Sequence, residues 1–580
     1  MDHLTIKIVG PAGFGIKVTG MMLAKHFLRS DCFVFAYTEY PSLIRGGHNT
    51  FQVDIAKKEI NSAAEKCDIL IALNKDSLIK ELKNINTSGL IIYDEQIEID
   101  FSLPNKINLL PSPLMEIAKN NGGELMKNTV ALGILLGALN LSLENLNKIL
   151  TETFGHKGAI AEQNKKAVQA GLEWIKNNPI NSKIAAQYIM TVNNNKSFKQ
   201  DNLFISGNQA CALGAIAAGC QLYSAYPMTP ASEILHYLVA KQQASGMVVH
   251  QPEDEIAAVH VALGASFTGS RAACGTSGGG FALMNEGLSL AGMLELPIVI
   301  FEVMRPAPAT GLPTWTEQGD LMYVVHAGHG DFPRLVLAPG NPTECFLLTQ
   351  QAFNLADKYQ IPVIVLSDKF LGESTYTTSK KLFSKIEKKA RGKILIVNQN
   401  QLAENQTLFA RYKNEKDNVS PRPIPGVLNG EYIANSDEHD EFGLTNESTV
   451  CRNEQMKRRM GKTLNLKKEI PLPTLYGPKS ANLTLVCWGS MLGPSLDALN
   501  EINKDKKQIN LIHFSYVWPL PLGLDKFLKQ FSKLILIENN FSAQLGILIR
   551  QETGTEIKDK ILKYDGRPLW KEEIIKTVKK

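Results

Sequence analysis

Short apolar segments alternate with helix-forming segments between residues 203 and 366, and this alternation constrains the fold more than any other feature of the sequence. The apolar segments include Leu222–Tyr226, Pro297–Val303 and Ile361–Leu366, of which the last two are rich in β-branched residues. Strands that alternate with helices form parallel sheets covered on both faces. The sequence therefore predicts an α/β domain over residues 203–375, with ligands bound at the carboxyl ends of its strands.

At 580 residues the chain is too long for a single hydrophobic core. An apolar strand, a glycine-rich turn and a helix open the chain, and this order is typical of a Rossmann-like domain. A later stretch rich in Asn, Lys and Ser lacks periodicity and indicates a linker. The predicted fold is a multidomain α/β protein, divided into a Rossmann-like domain (1–185), a linker (186–202), the parallel-sheet domain (203–375), an irregular connecting region (376–478) and a C-terminal α/β domain (479–580).

Composition argues against several classes of protein. Charged residues make up 21% of the chain, the formal net charge is +5, and no basic run is interleaved with aromatic residues, so nucleic acid is not an expected partner. The longest apolar run, near Val130–Leu143, is too short to span a bilayer, so no membrane is expected. The eight cysteines include no C-x-x-C pair, which is untypical of disulfide frameworks, zinc sites and iron–sulfur sites. We therefore expect a cytoplasmic protein without a metal site of its own.

A group of acidic residues precedes a strongly apolar helical segment. Glu255 is followed by Ile256–Ala265, which is apolar nearly all round and predicts a buried helix. Pro252 suits the first helical position, and the acidic residues after it would complement the helix dipole. That interpretation needs no function, but a carboxylate that points into the interior is costly unless it is paired or used. Both interpretations of Glu255 stay open at this point.

Two more segments lie where an apolar strand ends. Tyr226, Pro227 and Thr229 form a turn that leads into a helix, and the backbone N–H groups of a helix start favour anions. Arg305 follows a buried strand, where its planar guanidinium could bind a carboxylate through two hydrogen bonds. A turn that only caps a helix and an ordinary ion pair at a strand end are the structural alternatives.

The glycine-rich turn near the start of the chain is a candidate phosphate site. Gly13 and Gly15 lie between an apolar strand and a helix, where backbone amides can hold a phosphate. Glu39 follows the second strand, at the place of the ribose-binding acid in nicotinamide-dependent enzymes. A nicotinamide oxidoreductase is therefore one alternative, although the order G-x-x-G-x-G differs from the dinucleotide fingerprint. A turn that only lets the helix pack is another.

Several motifs together resemble one family, the 2-oxoacid:ferredoxin oxidoreductases, which oxidise 2-oxoacids to acyl-coenzyme A and CO2 with thiamine diphosphate. Five motifs resemble the α subunit of these enzymes in order and spacing, and a sixth resembles their γ subunit. The motifs are Gly207–Ala210, Tyr226–Pro230, Glu253–Ala258, Glu286–Leu288, Thr310–Asp320 and, for the γ subunit, Glu39–Asn49.

The resemblance implies a fold and roles for individual residues. Residues 1–185 would be a γ-like domain, 203–375 a pyrimidine-binding domain for thiamine diphosphate, and 479–580 a domain similar to the C-terminal domain of transketolase. Glu255 would bind the aminopyrimidine ring of the cofactor, and Arg305 with Thr229 would bind the substrate carboxylate. The remaining residues that the resemblance assigns to cofactor binding are Tyr226 and Pro227 for thiamine diphosphate and Gly13, Gly15 and Arg45 for coenzyme A.

The resemblance also implies partners. The chain has no G-D-G motif followed by an asparagine about 25 residues later, the element that binds magnesium and diphosphate in thiamine enzymes. A β subunit would then supply Mg²⁺, diphosphate binding and a 4Fe–4S cluster in an (αβ)₂ assembly that reduces ferredoxin. The fused γ-like domain and the sequence Glu317–Asp320 favour 2-oxoglutarate as substrate, with pyruvate or a broad 2-oxoacid range as the alternative.

One departure from the family pattern bears on activity. Relatives carry glycines and a serine after the arginine, whereas this chain has Pro306–Ala309. The altered loop leaves open a subunit that binds partners but has lost catalysis.

Overall fold

A computed structural model describes residues 3–43, 46–104, 106–178, 201–396, 408–504 and 508–579. The chain forms two compact units. The first consists of Met1–Ile205, Ser374–Lys380 and Trp570–Lys580, and the second of Ser206–Glu373 and Lys381–Leu569. The predicted linker lies mostly within residues 179–200, outside the described residues.

Strands and helices alternate through much of both units, as the α/β prediction requires. The strands are β1 (His3–Ala12), β2 (Phe33–Glu39), β3 (Gly46–Ala56), β4 (Cys67–Ala72), β5 (Ile85–Asp94), β6 (Asn108–Ser112), β7 (Asn202–Ser206), β8 (Leu222–Ser224), β9 (Val248–His250), β10 (Ala272–Thr276), β11 (Ile298–Met304), β12 (Leu335–Leu337), β13 (Pro362–Asp368), β14 (Thr375–Ser379), β15 (Ile394–Leu395), β16 (Arg422–Pro423), β17 (Thr474–Tyr476), β18 (Leu483–Trp488), β19 (Ile509–Phe514), β20 (Tyr516–Trp518), β21 (Leu534–Glu538) and β22 (Asp559–Leu562). The helices are α1 (Ile16–Leu28), α2 (Lys75–Glu81), α3 (Leu114–Asn120), α4 (Lys127–Ala138), α5 (Glu144–Phe154), α6 (Ala159–Lys176), α7 (Gly207–Ala218), α8 (Ser232–Ser245), α9 (Glu255–Phe267), α10 (Gly278–Leu283), α11 (Asn285–Leu294), α12 (Leu321–His326), α13 (Pro342–Tyr359), α14 (Lys369–Glu373), α15 (Thr449–Glu469), α16 (Leu492–Lys504), α17 (Leu524–Leu528), α18 (Gln544–Thr553) and α19 (Lys571–Lys579).

The first unit is built on a mixed sheet in the order β6-β5-β4-β1-β3-β2-β14-β7. Strands β6, β5, β4 and β1 are parallel, as in a Rossmann-like domain. Strand β3, which was not predicted, runs antiparallel between β1 and β2. The apolar faces of these strands pack against helices that include α1, α4 and α6. Strand β7, predicted for the next domain, instead lies at the edge of this sheet.

The second unit contains the predicted parallel sheet, in the order β20-β12-β13-β11-β10-β8-β9. Its strands are parallel except β20, which pairs antiparallel with β12. A second sheet, β17-β19-β18-β21-β22, is parallel except for β17. The multidomain α/β class is thus confirmed.

The region 376–478, predicted to be irregular, contains a long helix, α15, that was not predicted. Helix α15 lacks an apolar stripe because its buried face consists largely of polar residues, Arg458 and Lys462 among them. Arg458 donates from both terminal nitrogens to the carboxylate of Glu295, one of these bonds measuring 3.0 Å, and Lys462 forms an ion pair with the same group. Burial alone would raise the pKa of Glu295, but these two cations hold it well below its usual range.

Replacement of Glu295 with Gln should destabilise the second unit strongly. The amide would leave Arg458 and Lys462 buried without an anion, and breaking a buried ion pair from one side costs about 3–5 kcal/mol. Chemical denaturation followed by circular dichroism measures the loss.

The matched control is Glu556→Gln, because Glu556 forms an exposed ion pair with Arg550 at 3.4 Å. The control should unfold like the wild type. A Glu295→Gln variant as stable as the control would mean that the buried ion pair adds nothing to the folded state.

Candidate functional site

Polar residues line the carboxyl ends of three adjacent strands of the parallel sheet. Thr276 of β10 lies opposite Glu302 of β11, and Asp368 of β13 lies opposite Met304. Residues two positions earlier in these strands belong to one apolar cluster, so Thr276, Glu302 and Asp368 point to the same covered face. The sheet thus ends in a row of polar groups at the edge where α/β folds bind ligands.

Glu255 lies beside this row, at the first residue of α9. The helix begins here rather than at Pro252, because the side chain of Asp254 accepts a hydrogen bond of 2.8 Å from the Ala257 amide and forms the N-cap. Glu255 is 3% exposed, and its Oε1 atom has no hydrogen-bond partner among the described residues. The helix is not buried all round, since Ile256 is 45% exposed. A function for Glu255 therefore remains a better explanation than helix capping alone.

The glycines at the start of α10 let two carboxylates approach the backbone. A Cβ atom at Gly280 would lie 2.7 Å from Oε1 of Glu255, and one at Gly278 would overlap the carboxylate of Asp320. Asp320 is the residue before α12 and is 8% exposed, and its Oδ2 atom also has no partner in the described part of the chain. The turn thus separates two buried carboxyl groups, of which the sequence analysis singled out only Glu255.

Arg305 and Thr229, the residues predicted to bind the substrate carboxylate, contact each other directly. Nη1 of Arg305 donates a hydrogen bond of 2.7 Å to the backbone carbonyl of Thr229, which leaves the threonine hydroxyl for another partner. Asn208 of α7 supports the same turn by donating to the carbonyl of Pro230 at 3.0 Å. Tyr226, 40% exposed, and Pro227 lie on the exposed side of this turn.

The electrostatics of the site follow from burial. Burial raises the pKa of Asp320 to about 6, against the opposing effect of Arg305. Burial, together with Asp320 and Asp368, raises the pKa of Glu302 well above its usual range. Burial lowers the pKa of Arg305, and the charges of Asp320 and Glu302 counteract this shift. The site therefore combines one cation with carboxyl groups whose neutral forms are favoured by burial.

The C-terminal sheet positions the loop that carries Asp320. Gln318 donates from its backbone N–H to the carbonyl of Asn539 at 2.7 Å, and its side-chain oxygen accepts from the Asn539 N–H at 3.1 Å. Asn540 donates to the Gln318 carbonyl at 3.1 Å, and Gln544 to the carbonyl of Gly319 at 2.6 Å. We refer to Gln318, Asn539, Asn540 and Gln544 as the amide clasp. No sequence motif pointed to these long-range contacts.

The first unit contains a separate candidate site. Gly13 and Gly15, with φ of 93° and 70°, line a cavity of about 520 Å³ at the start of α1, together with Lys17, Thr38 and Asn49. Arg45 lies outside the described residues. Glu39 ends β2, which β3 separates from β1, so it is not on the strand next to the glycine turn as the nicotinamide alternative requires.

Two further observations concern metal and membrane binding. His439 is fully buried, its ring centroid lies 4.1 Å from that of Tyr412, and its Nδ1 atom bonds to the carbonyl of Asp437 at 2.8 Å. Among the described residues no group of three or more His, Cys, Asp or Glu side chains could hold a metal ion. None of the helices in the described ranges is long and apolar enough to cross a bilayer.

Comparison with known proteins identifies the family. The family described as "Pyruvate flavodoxin/ferredoxin oxidoreductase, thiamine diP-bdg" matches residues 213–456, and "Pyruvate ferredoxin/flavodoxin oxidoreductase" matches residues 5–174. The α subunit of a 2-oxoacid:ferredoxin oxidoreductase from a Sulfolobus species is 31% identical over 641 aligned positions, covering 100% of this chain and 97% of that protein. The 2-oxoglutarate oxidoreductase subunit KorA of Mycobacterium tuberculosis is 28% identical, covering 99% and 91%.

A solved structure agrees with these matches. The 2-oxoglutarate:ferredoxin oxidoreductase of Magnetococcus marinus, with 2-oxoglutarate, coenzyme A and succinyl-CoA bound, has a TM-score of 0.89 and 31% identity, covering 100% of this chain and 99% of that chain. These similarities extend over both units, so the match isn't confined to one domain. The chain belongs to the α subunits of the 2-oxoacid:ferredoxin oxidoreductases, as its motifs predicted, and is part of an oxidoreductase.

Proposed function

We propose that this chain is the α subunit of an enzyme that oxidises 2-oxoglutarate with coenzyme A to succinyl-CoA and CO2 and passes the electrons to ferredoxin. The observation that carries the proposal is the buried Glu255 carboxylate, whose Oε1 has no partner among the described residues and faces the glycine turn. The ligands bound in the Magnetococcus marinus enzyme support this choice of substrate. Pyruvate is the alternative substrate that a kinetic comparison must test.

The residues around Glu255 fit thiamine diphosphate. A buried carboxylate oxygen without a protein partner suits a hydrogen bond to a nitrogen of the aminopyrimidine ring, and Tyr226 and Pro227 lie on the exposed side of the neighbouring turn. When bound, the cofactor supplies a thiazolium carbon that adds to the 2-oxo carbon and accepts the electron pair freed by decarboxylation. Glu255 would orient the ring and exchange a proton with it.

Arg305 and Thr229 would bind the carboxylate of the substrate. One guanidinium nitrogen of Arg305 is fixed by the Thr229 carbonyl, which orients the remaining donors of the planar group. The Thr229 hydroxyl adds a neutral donor next to the cation. Together they would orient the 2-oxoacid for attack on its 2-oxo carbon.

The cavity of the first unit would hold the phosphates of coenzyme A. Backbone amides beside Gly13 and Gly15 stand at the start of α1, where the helix dipole favours anions, and Lys17 adds a cation. Arg45 is the third residue, with Gly13 and Gly15, that the family resemblance assigns to coenzyme A binding.

A β subunit would complete the enzyme. The missing G-D-G motif and the absence of C-x-x-C pairs leave Mg²⁺, diphosphate binding and a 4Fe–4S cluster to this partner. We propose an (αβ)₂ assembly with ferredoxin as acceptor. The cytoplasm is the proposed compartment, in keeping with eight cysteines that are all buried free thiols.

The first test concerns assembly. The purified chain should be colourless and inactive, whereas co-expression with its β subunit should yield a brown enzyme that reduces ferredoxin with 2-oxoglutarate and coenzyme A. Iron analysis and anaerobic ferredoxin reduction measure both properties. Stoichiometric iron in the chain alone, or no 2-oxoacid oxidation by the assembled enzyme, would contradict the proposal.

A second test removes the charge of Glu255. The assembled Glu255→Gln enzyme should keep its melting temperature and lose about 10²–10⁴-fold in kcat, the usual scale for assistance with proton transfer. Steady-state kinetics with 2-oxoglutarate measures the effect.

A glycine pair serves as the control for Glu255. A methyl group at Gly280 would overlap the Thr276 hydroxyl and lie 2.7 Å from Oε1 of Glu255, so Gly280→Ala should displace both side chains and lower kcat by about 10²-fold. Gly279→Ala should keep near-normal kcat because the nearest atom is 3.9 Å away. Equal kcat values for these two variants would mean that the position of Glu255 does not matter.

A third test is a double-mutant cycle on the substrate carboxylate. Arg305→Lys keeps the charge and loses the planar fork, so it should lower kcat/KM by about 30- to several-thousand-fold, the equivalent of about 2–5 kcal/mol. Thr229→Val keeps the carbonyl that holds Arg305 and should cost about 1.5–3 kcal/mol. Because both groups bind one ligand, the effects should not add.

The cycle is measured in parallel with 2-oxoglutarate and pyruvate. Strict additivity with both substrates would place the carboxylate elsewhere. Better kcat/KM with pyruvate in the wild type would replace 2-oxoglutarate as the proposed substrate.

A further inference from the structure

Three buried carboxyl groups lie at the edge of the sheet from which Arg305 emerges. Glu302 precedes Arg305 by three residues and is fully buried, Asp320 is 8% exposed, and Asp368 is 1% exposed. Among the described residues, neither carboxylate oxygen of Glu302 has a hydrogen-bond partner, and neither has Oδ2 of Asp320. By contrast, Asp368 accepts from the Leu371 N–H at 3.0 Å and from the Thr316 hydroxyl at 3.4 Å.

Arg305 is the cation that offsets these acids. Its charge acts on both Glu302 and Asp320, while its Nη1 donates to the neutral carbonyl of Thr229. Ionisation of all three acids would place three anions beside one guanidinium in a site shielded from water. Such a net charge is unfavourable, so the cluster retains protons in the absence of substrate.

Binding of a 2-oxoacid changes this balance. The substrate adds a carboxylate to Arg305, and that anion competes with Glu302 and Asp320 for the influence of the guanidinium charge. Because the interior screens charge poorly, the simplest compensation is one proton taken up from solvent by a cluster member.

We propose that Asp320 is a positioning residue that balances the charge of Arg305 in the free enzyme and takes up one proton when the 2-oxoacid carboxylate binds there. The inference rests on the proposed role of Arg305. In the balanced step, the ionised Asp320, the substrate anion and one proton from solvent give a neutral Asp320 and a substrate carboxylate paired with Arg305.

Asp320 is a better proton acceptor than its neighbours for physical reasons. Burial and the other acids raise the pKa of Glu302 well above its usual range, which favours its neutral form. Burial raises the pKa of Asp368 to about 6 as well, but hydrogen bonds from Thr316 and Leu371 favour its ionised form, whereas Oδ2 of Asp320 has no partner among the described residues. Burial raises the pKa of Asp320 to about 6, so it exchanges its proton in the working range. The titratable and charged groups on the elements around Asp320 are Glu255, Glu302, Arg305, Glu317, Tyr323 and Asp368.

The amide clasp explains how Asp320 keeps its position without a hydrogen bond to its Oδ2 atom. Gln318 and Gly319, directly before Asp320, are fixed through backbone and side-chain hydrogen bonds. The backbone therefore fixes the position of Asp320, and its carboxyl group can gain or lose a proton as the surrounding charge changes.

The test is the pH dependence of kcat/KM for 2-oxoglutarate in the assembled enzyme, from pH 5.5 to 8.5, at saturating coenzyme A and ferredoxin. Uptake of one proton makes the wild-type kcat/KM fall above about pH 6, approaching tenfold per pH unit. D320N, which mimics the protonated state, should lose this slope, and D320E should restore it. E317Q is the matched control, because burial, with Asp320 and Asp565, raises the pKa of Glu317 to about 7 without a contribution from Arg305. E317Q should keep the slope.

A binding measurement on the wild type needs no variant to fold. Oxamate, a carboxylate analogue of a 2-oxoacid, is titrated calorimetrically at pH 7 in phosphate and in Tris, which differ in ionisation enthalpy. The difference in binding heat between the two buffers gives the number of protons taken up. A value near one proton supports the inference, and equal heats in the two buffers overturn it.

Two further outcomes distinguish a failure of this inference from a failure of the proposed function. A D320N enzyme with the wild-type slope overturns the role of Asp320 and leaves the proposed function intact, since 2-oxoglutarate is still oxidised. An assembled enzyme that neither binds oxamate nor oxidises any 2-oxoacid overturns both.

Discussion

The amide clasp is the interaction on which the proposed substrate site depends most directly. Gln318 and Gly319 are held by side chains and backbone from the C-terminal α/β region, more than 200 residues away in sequence. Glu538 stabilises this arrangement, because its buried carboxylate accepts from the Asn540 side chain at 2.7 Å and from the Leu545 N–H at 3.1 Å. A region without a candidate catalytic residue thus determines where the Asp320 loop lies. Its role is to hold the backbone, so that the acids of the site need not be held by their own hydrogen bonds.

The second unit contains two kinds of buried acid, one paired with cations and the other with an unpaired carboxyl oxygen. Glu295 is fully paired by Arg458 and Lys462 and ties α15 to the end of α11. Glu255, Glu302 and Asp320 are equally buried, yet each has at least one oxygen without a partner among the described residues. Unpaired buried carboxyl groups lower stability, and they persist in folded proteins where function requires them. The contrast within a single unit separates an acid that stabilises the fold from acids for which we propose a function.

The sequence predicted the parts of the molecule in which local pattern and fold agree. The apolar strands β11 and β13 have the clear β-branched signal of a buried parallel sheet, and both appear within a residue or two of the prediction. Glu255, Thr229 and Arg305 could be named because motifs mark them, and the structure places all three at the predicted edge. Helix α15 was missed because paired arginines and lysine occupy its buried face, which removes the apolar periodicity on which detection depends.

Other features depend on contacts that no local pattern records. Strand β3 begins inside the Glu39–Asn49 motif, at Gly46, and its place between β1 and β2 depends on pairing with both. The bond from Arg305 to the Thr229 carbonyl, rather than to its hydroxyl, is a matter of side-chain geometry. Glu302 was overlooked because one acid inside an apolar strand gives no motif, although its position in β11 could have raised the question. An acidic residue inside a predicted buried parallel strand is therefore an indication of a candidate functional residue.

The altered loop after Arg305 bears on whether this subunit has kept its activity. Leu312 donates to the Pro306 carbonyl at 3.0 Å and closes the loop on itself, and Gly311, with φ of 54°, leaves room for that carbonyl. The substituted prolines and alanines thus belong to an ordered turn that still places Arg305 against Thr229. A subunit released from catalysis would gain stability by losing Glu302 or Asp320, because each is buried with an unpaired oxygen. The presence of these unpaired acids near an arginine that is fixed against Thr229 favours our proposal that the subunit is catalytic and that the altered loop does not abolish its chemistry.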